Sequence, residues 1–239
     1  MRTPIATPFT LPACLIASLL APHPVAGQSG FFIRLASEVS ALSVEHTKTV
    51  TIGGGSSTST SSSSGFGTAI LVTGGVRSSA SAGWMFGSEL EVVLPSPRLL
   101  KGTIDPTNSG NPHDVWPGRW EFSDKLGVGG TFLAGRSVDG GDGRIYLLLG
   151  VRRSWGDFAT GGTNPETGVA GEDRERLGHW PLSAGIGMTM ARRWPVDVRL
   201  RYFRSAVDWV ISQPDLGLDY DYVVSGFALS VGVRRESDR

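Results

Sequence analysis

The chain has 239 residues, with 22 basic against 22 acidic side chains, 33 glycines and a single cysteine, Cys14. A formal net charge of zero, without a basic stripe or a long acidic run, excludes a nucleic-acid-binding surface and a solvating tail. No apolar run reaches the roughly 18 residues of a membrane-spanning helix, which excludes helical spans and leaves a β-barrel open.

Residues 1–27 read as a secretory signal peptide: Arg2 is the only charge, residues 11–21 (LPACLIASLLA) form the apolar stretch, and Val25-Ala26-Gly27 offers small residues for cleavage. The apolar run follows Cys14 instead of preceding it, so lipidation is not expected, and cleavage removes the only thiol. The mature chain, residues 28–239, reads as one domain.

Residues 31–44 (FFIRLASEVSALSV) alternate with the strand period of two, Ile33, Leu35, Val39 and Ala41 on one face and Arg34, Ala36, Glu38 and Ser40 on the other. Residues 53–67 are a Gly/Ser/Thr tract that reads as a flexible loop. A second strand at 68–77 has ambiguous phase, and a third at 84–94 sets Leu90, Val92 and Leu94 against Glu89 and Glu91. Residues 95–118 hold four prolines and read as a long polar connection. The fourth strand, 120–136, places Leu126, Val128, Phe132 and Ala134 opposite Lys125, Gly127, Gly129 and Thr131. After the turn SVDGGDG, the fifth, 144–158, sets Ile145, Leu147, Leu149 and Val151 against Tyr146, Gly150 and Arg152. Residues 159–179 form another polar loop.

The most informative stretch is 181–203 (PLSAGIGMTMARRWPVDVRLRYF), a β-hairpin broken at residues 192–195. Leu182, Ala184, Ile186 and Met188 share one face against Ser183, Gly185, Gly187 and Thr189; beyond the turn Val196, Val198, Leu200 and Tyr202 oppose Asp197, Arg199 and Arg201. One face alternates glycine with small polar residues and its partner carries closely spaced charges. A barrel with apolar side chains in lipid and small or charged ones in a narrow lumen predicts that contrast. A loop at 211–219 precedes the eighth strand, 220–233, with Val223, Phe227, Leu229, Val231 and Val233 outward, and 234–239 form a charged tail.

Long connections, about 47–66, 95–118, 159–179 and 211–219, alternate with the short ones at 78–83, 137–143 and 192–195. Trp84, Trp120, Trp155, Trp180, Trp194, Trp209, Tyr220 and Tyr222 fall near strand ends, as an interfacial aromatic girdle requires. The fold class expected is all-β: an eight-stranded antiparallel up-and-down transmembrane barrel.

With glycine alternating against apolar residues in 182–190 and 227–233, the chain resembles the OmpA-like eight-stranded outer-membrane barrels. The resemblance spans about residues 30–233. It implies the bacterial outer membrane as location, outer-membrane lipid, lipopolysaccharide and the barrel-assembly machinery as partners, and an extracellular ligand held by the loops. No catalytic residue, cofactor or metal is expected.

The inward face collects Arg34, Lys125, Arg152, Arg199 and Arg201 with Glu38, Glu89, Glu91 and Asp197. In an interior just wide enough for side chains, these charges pair into a structural network that fills the lumen; a gated ion path is the sharper alternative. Asp139-Gly140-Gly141-Asp142-Gly143 reads as a tight turn, since calcium needs six or more oxygens. His46, His113 and His179 lie in or beside outer loops without a catalytic motif. Two other readings stay open from the residues: a lipid A-modifying barrel enzyme, and a secreted lipocalin-like small-ligand binder, which would put apolar side chains inside and charges outside.

Overall fold

The computed structural model describes residues 29–80, 83–96, 99–105, 118–138, 143–163, 168, 170–190, 195–213 and 216–236. The leader expected at 1–27, His113, Trp194 and most of the DGGDG turn lie outside them. The strands are β1 Ser29–Ile52, β2 Gly55–Ser79, β3 Trp84–Pro95, β4 Leu100–Ile104, β5 Gly118–Val138, β6 Gly143–Thr163, β7 Ala170–His179, β8 Leu182–Met190, β9 Val196–Gln213 and β10 Leu216–Glu236. Every pairing is antiparallel. β1 pairs both β2 and β10, and β5 pairs both β3 and β6, so the sheet closes on itself. β4 extends the line of β3 along β5, and β7 extends that of β8 along β6. Ten segments therefore make eight staves, in ring order β1, β2, β3/β4, β5, β6, β7/β8, β9, β10.

Outside the ring stands a belt of exposed apolar side chains, among them Ile33, Leu90, Phe132, Leu147, Ile186, Leu200 and Leu229. The alternate residues of the same strands are buried: Arg34, Glu89, Glu91, Thr131, Leu148, Arg199 and Ser230. A soluble closed barrel requires the reverse, so the lipocalin-like alternative is overturned, and the belt is the lipid-facing wall of a membrane barrel.

The upper limit of that belt is written in a phase change. On β1 the outward apolar residues end at Val39 and Ala41, and from Leu42 and Val44 onward the apolar side chains turn inward. On β10, Phe227–Val233 carry apolar residues outward, whereas Tyr220, Tyr222 and Val224 point into the barrel. On β5, Val128 and Phe132 face out, but Trp120 and Phe122 face in. Where hydrocarbon gives way to water, the low-energy side for an apolar group moves from outside to inside. The inward groups above the belt form one cluster around Leu42, Val44, Trp120, Phe122, Phe158 and Tyr222. Trp120, Tyr220 and Tyr222 are therefore interior residues, not part of an interfacial girdle. Trp84 and Trp180 are exposed on the wall as a girdle requires.

The expected long loops are corrected by the same ladders. Residues 53–67 are not a flexible loop: β2 pairs with β1 from Ile52↔Gly55 downward, around a turn with Gly53 at φ 55° and Gly54 at φ 86°. Thr47–Thr60 and Thr49–Thr58 hydroxyl bonds, each 3.1 Å, lock facing rows. A Ser/Thr strand without apolar contrast still satisfies its backbone once a neighbour's register is fixed. The stretch 95–118 contains β4, 159–179 contains the end of β6 and all of β7, and 211–219 is mostly the β9–β10 ladder. The charged tail is corrected too, because β10 runs to Glu236.

Candidate functional site: the ionic lumen

The inward residues of β8 are glycine or small because their neighbours are large. A Cβ on Gly187 would lie 2.3 Å from the Tyr146 ring, and one on Gly185 2.9 Å from the Arg201 Cα. Across the register, Gly187 faces Arg199 and Gly185 faces Arg201. The absent side chains leave room for the Tyr146 ring at Gly187 and for the β9 backbone and Leu148 at Gly185.

Arg199 donates through Nη2 to Glu89 Oε2 at 3.0 Å, with a second, shorter contact from Nη1 to Oε1, and through Nε to Asp197 Oδ1 at 2.7 Å. Arg201 donates to both Glu91 oxygens, at 2.9 and 2.8 Å, and to Glu38 Oε2 at 2.7 Å. β3 and β9 are the third and seventh of eight staves in the ring, so the Arg199–Glu89 and Arg201–Glu91 pairs span its full diameter. Arg34 Nε lies 2.7 Å from Asp197 Oδ1 while its Nη2 donates to Ser230 Oγ at 2.7 Å. Asp197 also accepts from Thr189 Oγ1 at 3.0 Å and from the Tyr146 hydroxyl. Arg34, Asp197, Arg199 and Glu89 have no side-chain exposure. Bidentate and shared hydrogen bonds of this kind are what a charge needs when it leaves water.

Eight of the nine residues expected inward line the lumen, and seven of them are in ion pairs: Arg34, Glu38, Glu89, Glu91, Asp197, Arg199 and Arg201. Arg152 lies apart, its Nε donating to Ser154 Oγ at 2.9 Å. Lys125 is corrected: it sits at a β-bulge between Asp124 and Leu126, which turns it outward, where its Nζ lies 3.3 Å from Asp157. Two lumen arginines escaped the sequence reading. Arg77 follows Gly74-Gly75, which blur its strand's phase, and Arg234 stood in the supposed tail; both are buried and pair with Glu236.

Above this network the aromatic cluster packs inside the barrel. The His46 ring stacks on Tyr222 at 4.4 Å, and neither of its nitrogens makes a hydrogen bond of normal geometry. It lies above the belt, next to outward-facing Glu45. Burial pushes its pKa down from 6.5 to about 4, against a smaller opposite effect of the Asp221 backbone. On the outer wall, Lys101, Arg119, Arg174 and Arg176 interleave with Glu121, Asp157 and Glu172. Hydrogen bonds from Arg176 and then Lys125 hold the Asp157 carboxyl below its usual range.

His179 stands directly across the ladder from Ser154, with its Nε2 3.7 Å from Asp124 Oδ1. Neither ring nitrogen makes a hydrogen bond, and the Ser154 hydroxyl accepts from Arg152 Nε at 2.9 Å, so His179 is not aligned on Ser154 as a base.

No family model matches the chain, and no curated protein matches it significantly. Among solved structures it is similar to Ail, the attachment invasion locus protein of Yersinia pestis, at 13% identity, covering 83% of this chain and 99% of that one with a TM-score of 0.27. Neisserial surface protein A matches at 10% identity over 82% of this chain and 95% of that one, TM-score 0.29. The outer membrane protease OmpT from Escherichia coli matches at 13% over 84% and 96%, TM-score 0.34. At these values the barrel assignment rests on the chain's own ladders and faces.

Two predictions follow from the lumen. Arg199→Leu leaves Glu89 buried and unpaired and lowers unfolding free energy by about 3–5 kcal/mol, whereas Glu89→Leu with Arg199→Leu recovers part of the loss; urea unfolding in lipid vesicles reads both. The neutral His46 of the folded state stabilises it above pH 6.5, and that contribution is lost as pH falls toward 4, a total on the order of 3 kcal/mol. Asp221, raised to about 6 by burial and by Asp208, works in the opposite direction. The measurement is therefore the difference between wild type and His46→Phe, which should grow across that window; a constant difference contradicts it.

Proposed function

We propose that the protein is an integral barrel of the bacterial outer membrane, exported through a cleaved signal peptide, with a structural or surface-interaction role and no open pore. The observations that support this reading are the ion pairs across the lumen's diameter and the aromatic cluster packed above them. A continuous water path is the minimum for conduction, and salt-bridged arginines lie across its line. Outer-membrane lipid, with lipopolysaccharide in the outer leaflet, is the natural solvent of the apolar belt and the charged collar above it. The barrel-assembly machinery is the expected insertion partner, and the long β1–β2 and β9–β10 extensions are the surfaces open to an extracellular ligand. The reading is a non-enzymatic one; Ser154, His179 and Asp124 make no aligned relay among the described residues.

Membrane fractionation with heat-modifiable gel migration tests the location. Planar-bilayer recording tests the closed lumen: purified protein should insert without unitary conductance steps, and Glu89→Ala with Arg199→Ala should introduce them. Regular steps from the wild type would overturn the plugged-lumen reading.

A further inference from the structure

Toward the end of the ring opposite the aromatic cluster, the balance of charge in the lumen fails. Arg199 is answered by Glu89 across the barrel. Among the described residues, Arg34, Arg77, Arg144 and Arg234 are the other inward arginines at that end, and they share Asp197 and Glu236. Four guanidinium groups against two carboxylates leave two positive charges over. In a confined interior such an excess is costly.

Three of the four converge on one oxygen. Arg77 reaches Glu236 Oε1 through Nη2, Arg234 reaches it through Nη2 at 3.0 Å, and Arg144 Nη1 lies 3.8 Å from it. They come from three different staves, and each stands at a strand end: Arg77 near the end of β2, Arg144 at the start of β6, Arg234 near the end of β10. The cup they form opens to water on one side, where the Arg144 and Glu236 side chains are 28% and 36% exposed, and is closed on the other, where Arg77 and Arg234 are 5% and 1% exposed.

The two buried arginines keep donors that Glu236 does not use. Arg77 Nη1 and Arg234 Nε and Nη1 are buried and make no hydrogen bond among the described residues; Arg234 Nη1 lies 3.8 Å from Asp197 Oδ2. The Arg234 guanidinium lies over the Phe32 ring, 5.1 Å from its centroid, which holds the group in place without offering it an acceptor. One carboxylate oxygen therefore serves three cations, and further N–H groups on two of them stay open.

We infer that this rim is a binding site for a phosphate group, free or carried as a monoester, seated among Arg77, Arg144 and Arg234 in place of the Glu236 carboxylate. Glu236 is the last residue of β10, and its partly exposed side chain is free to turn out into water, so it acts as a tethered competitor. Charge sets the class of ligand. With the Glu236 monoanion in the cup two positive charges stay unanswered; a phosphate group, which carries close to two charges near neutral pH, leaves one. Chloride or a monocarboxylate gains nothing over the residue already there. Guanidinium groups arriving from three staves also suit a tetrahedral oxyanion, whose oxygens point in different directions, better than a planar carboxylate.

The site goes beyond the plugged-lumen reading and requires neither an open nor a closed pore. The experiment is titration calorimetry of inorganic phosphate, and separately of glycerol phosphate, into the refolded protein in maltoside micelles, with heat-modifiable migration reporting the fold of each sample. The wild type should take up one phosphate group per barrel, and sodium chloride at equal ionic strength should not displace it. Glu236→Gln should tighten binding about tenfold, a gain that a damaged barrel does not produce, and Arg144→Gln should weaken it about tenfold. Arg235→Gln, which removes the same charge from the exposed outer side of β10, should leave the affinity unchanged. Tighter binding of glycerol phosphate than of phosphate assigns the site to a monoester, and equal or weaker binding assigns it to the free ion. Absence of saturable binding in both wild type and Glu236→Gln, in protein that migrates as folded, overturns the site, as does an equal loss in Arg144→Gln and Arg235→Gln.

Discussion

Backbone amides in hydrocarbon have no water to bond, so a strand in lipid must be paired on both sides. Every other feature of this molecule depends on that constraint. The β1–β10 ladder closes the ring, and closure at eight staves fixes an interior too narrow for anything but side chains. That width decides what the inward positions hold: small residues or glycine beside the tyrosine and arginines, and charged groups mostly in ion pairs, two of which reach across. The diametric Arg199–Glu89 and Arg201–Glu91 pairs are consequences of closure, and they in turn fix the spacing of opposite walls.

The solvent outside the wall does the rest of the patterning. Within the belt a row of apolar side chains points outward, with Phe32, Leu71, Leu133 and Leu148 packed inside as well, and above it the apolar cluster points inward, while the strands of β1 and β10 run on unbroken. One ladder thus passes through two solvents, and the boundary is marked by reversal at Leu42 on β1 and between Val224 and Phe227 on β10. On β5 the same reversal is accomplished by the bulge at Lys125, which slips the strand by one residue.

The belt was legible in the sequence because lipid imposes strong contrast: Leu182–Met190 and Val196–Tyr202 could be assigned by period alone, and with them Asp197, Arg199 and Arg201. Three things were not legible. A bulge adds one residue without a compositional mark, so Lys125 was counted inward by simple alternation. The Ser/Thr tract of β2 carries no apolar contrast, so its pairing depends on β1 and not on its own residues. Trp120, Tyr220 and Tyr222 near strand ends fit a girdle as well as a plug, and only the reversal of faces above the belt separates the two. Arg234 belonged to the network but sat beside Arg235 and Glu236, where a run of charges resembles a solvated end.

The central claim is that alternate residues of one strand meet lipid and the barrel interior, and it is tested most directly on the unaltered protein. In lipid bicelles, magnetisation transferred from acyl-chain protons to side-chain methyls should reach Leu147, Ile186 and Leu200. It should be absent at Leu71, Leu148 and Leu133, which are buried on the inner face. Transfer to the second set, or equal transfer to both, would contradict the account.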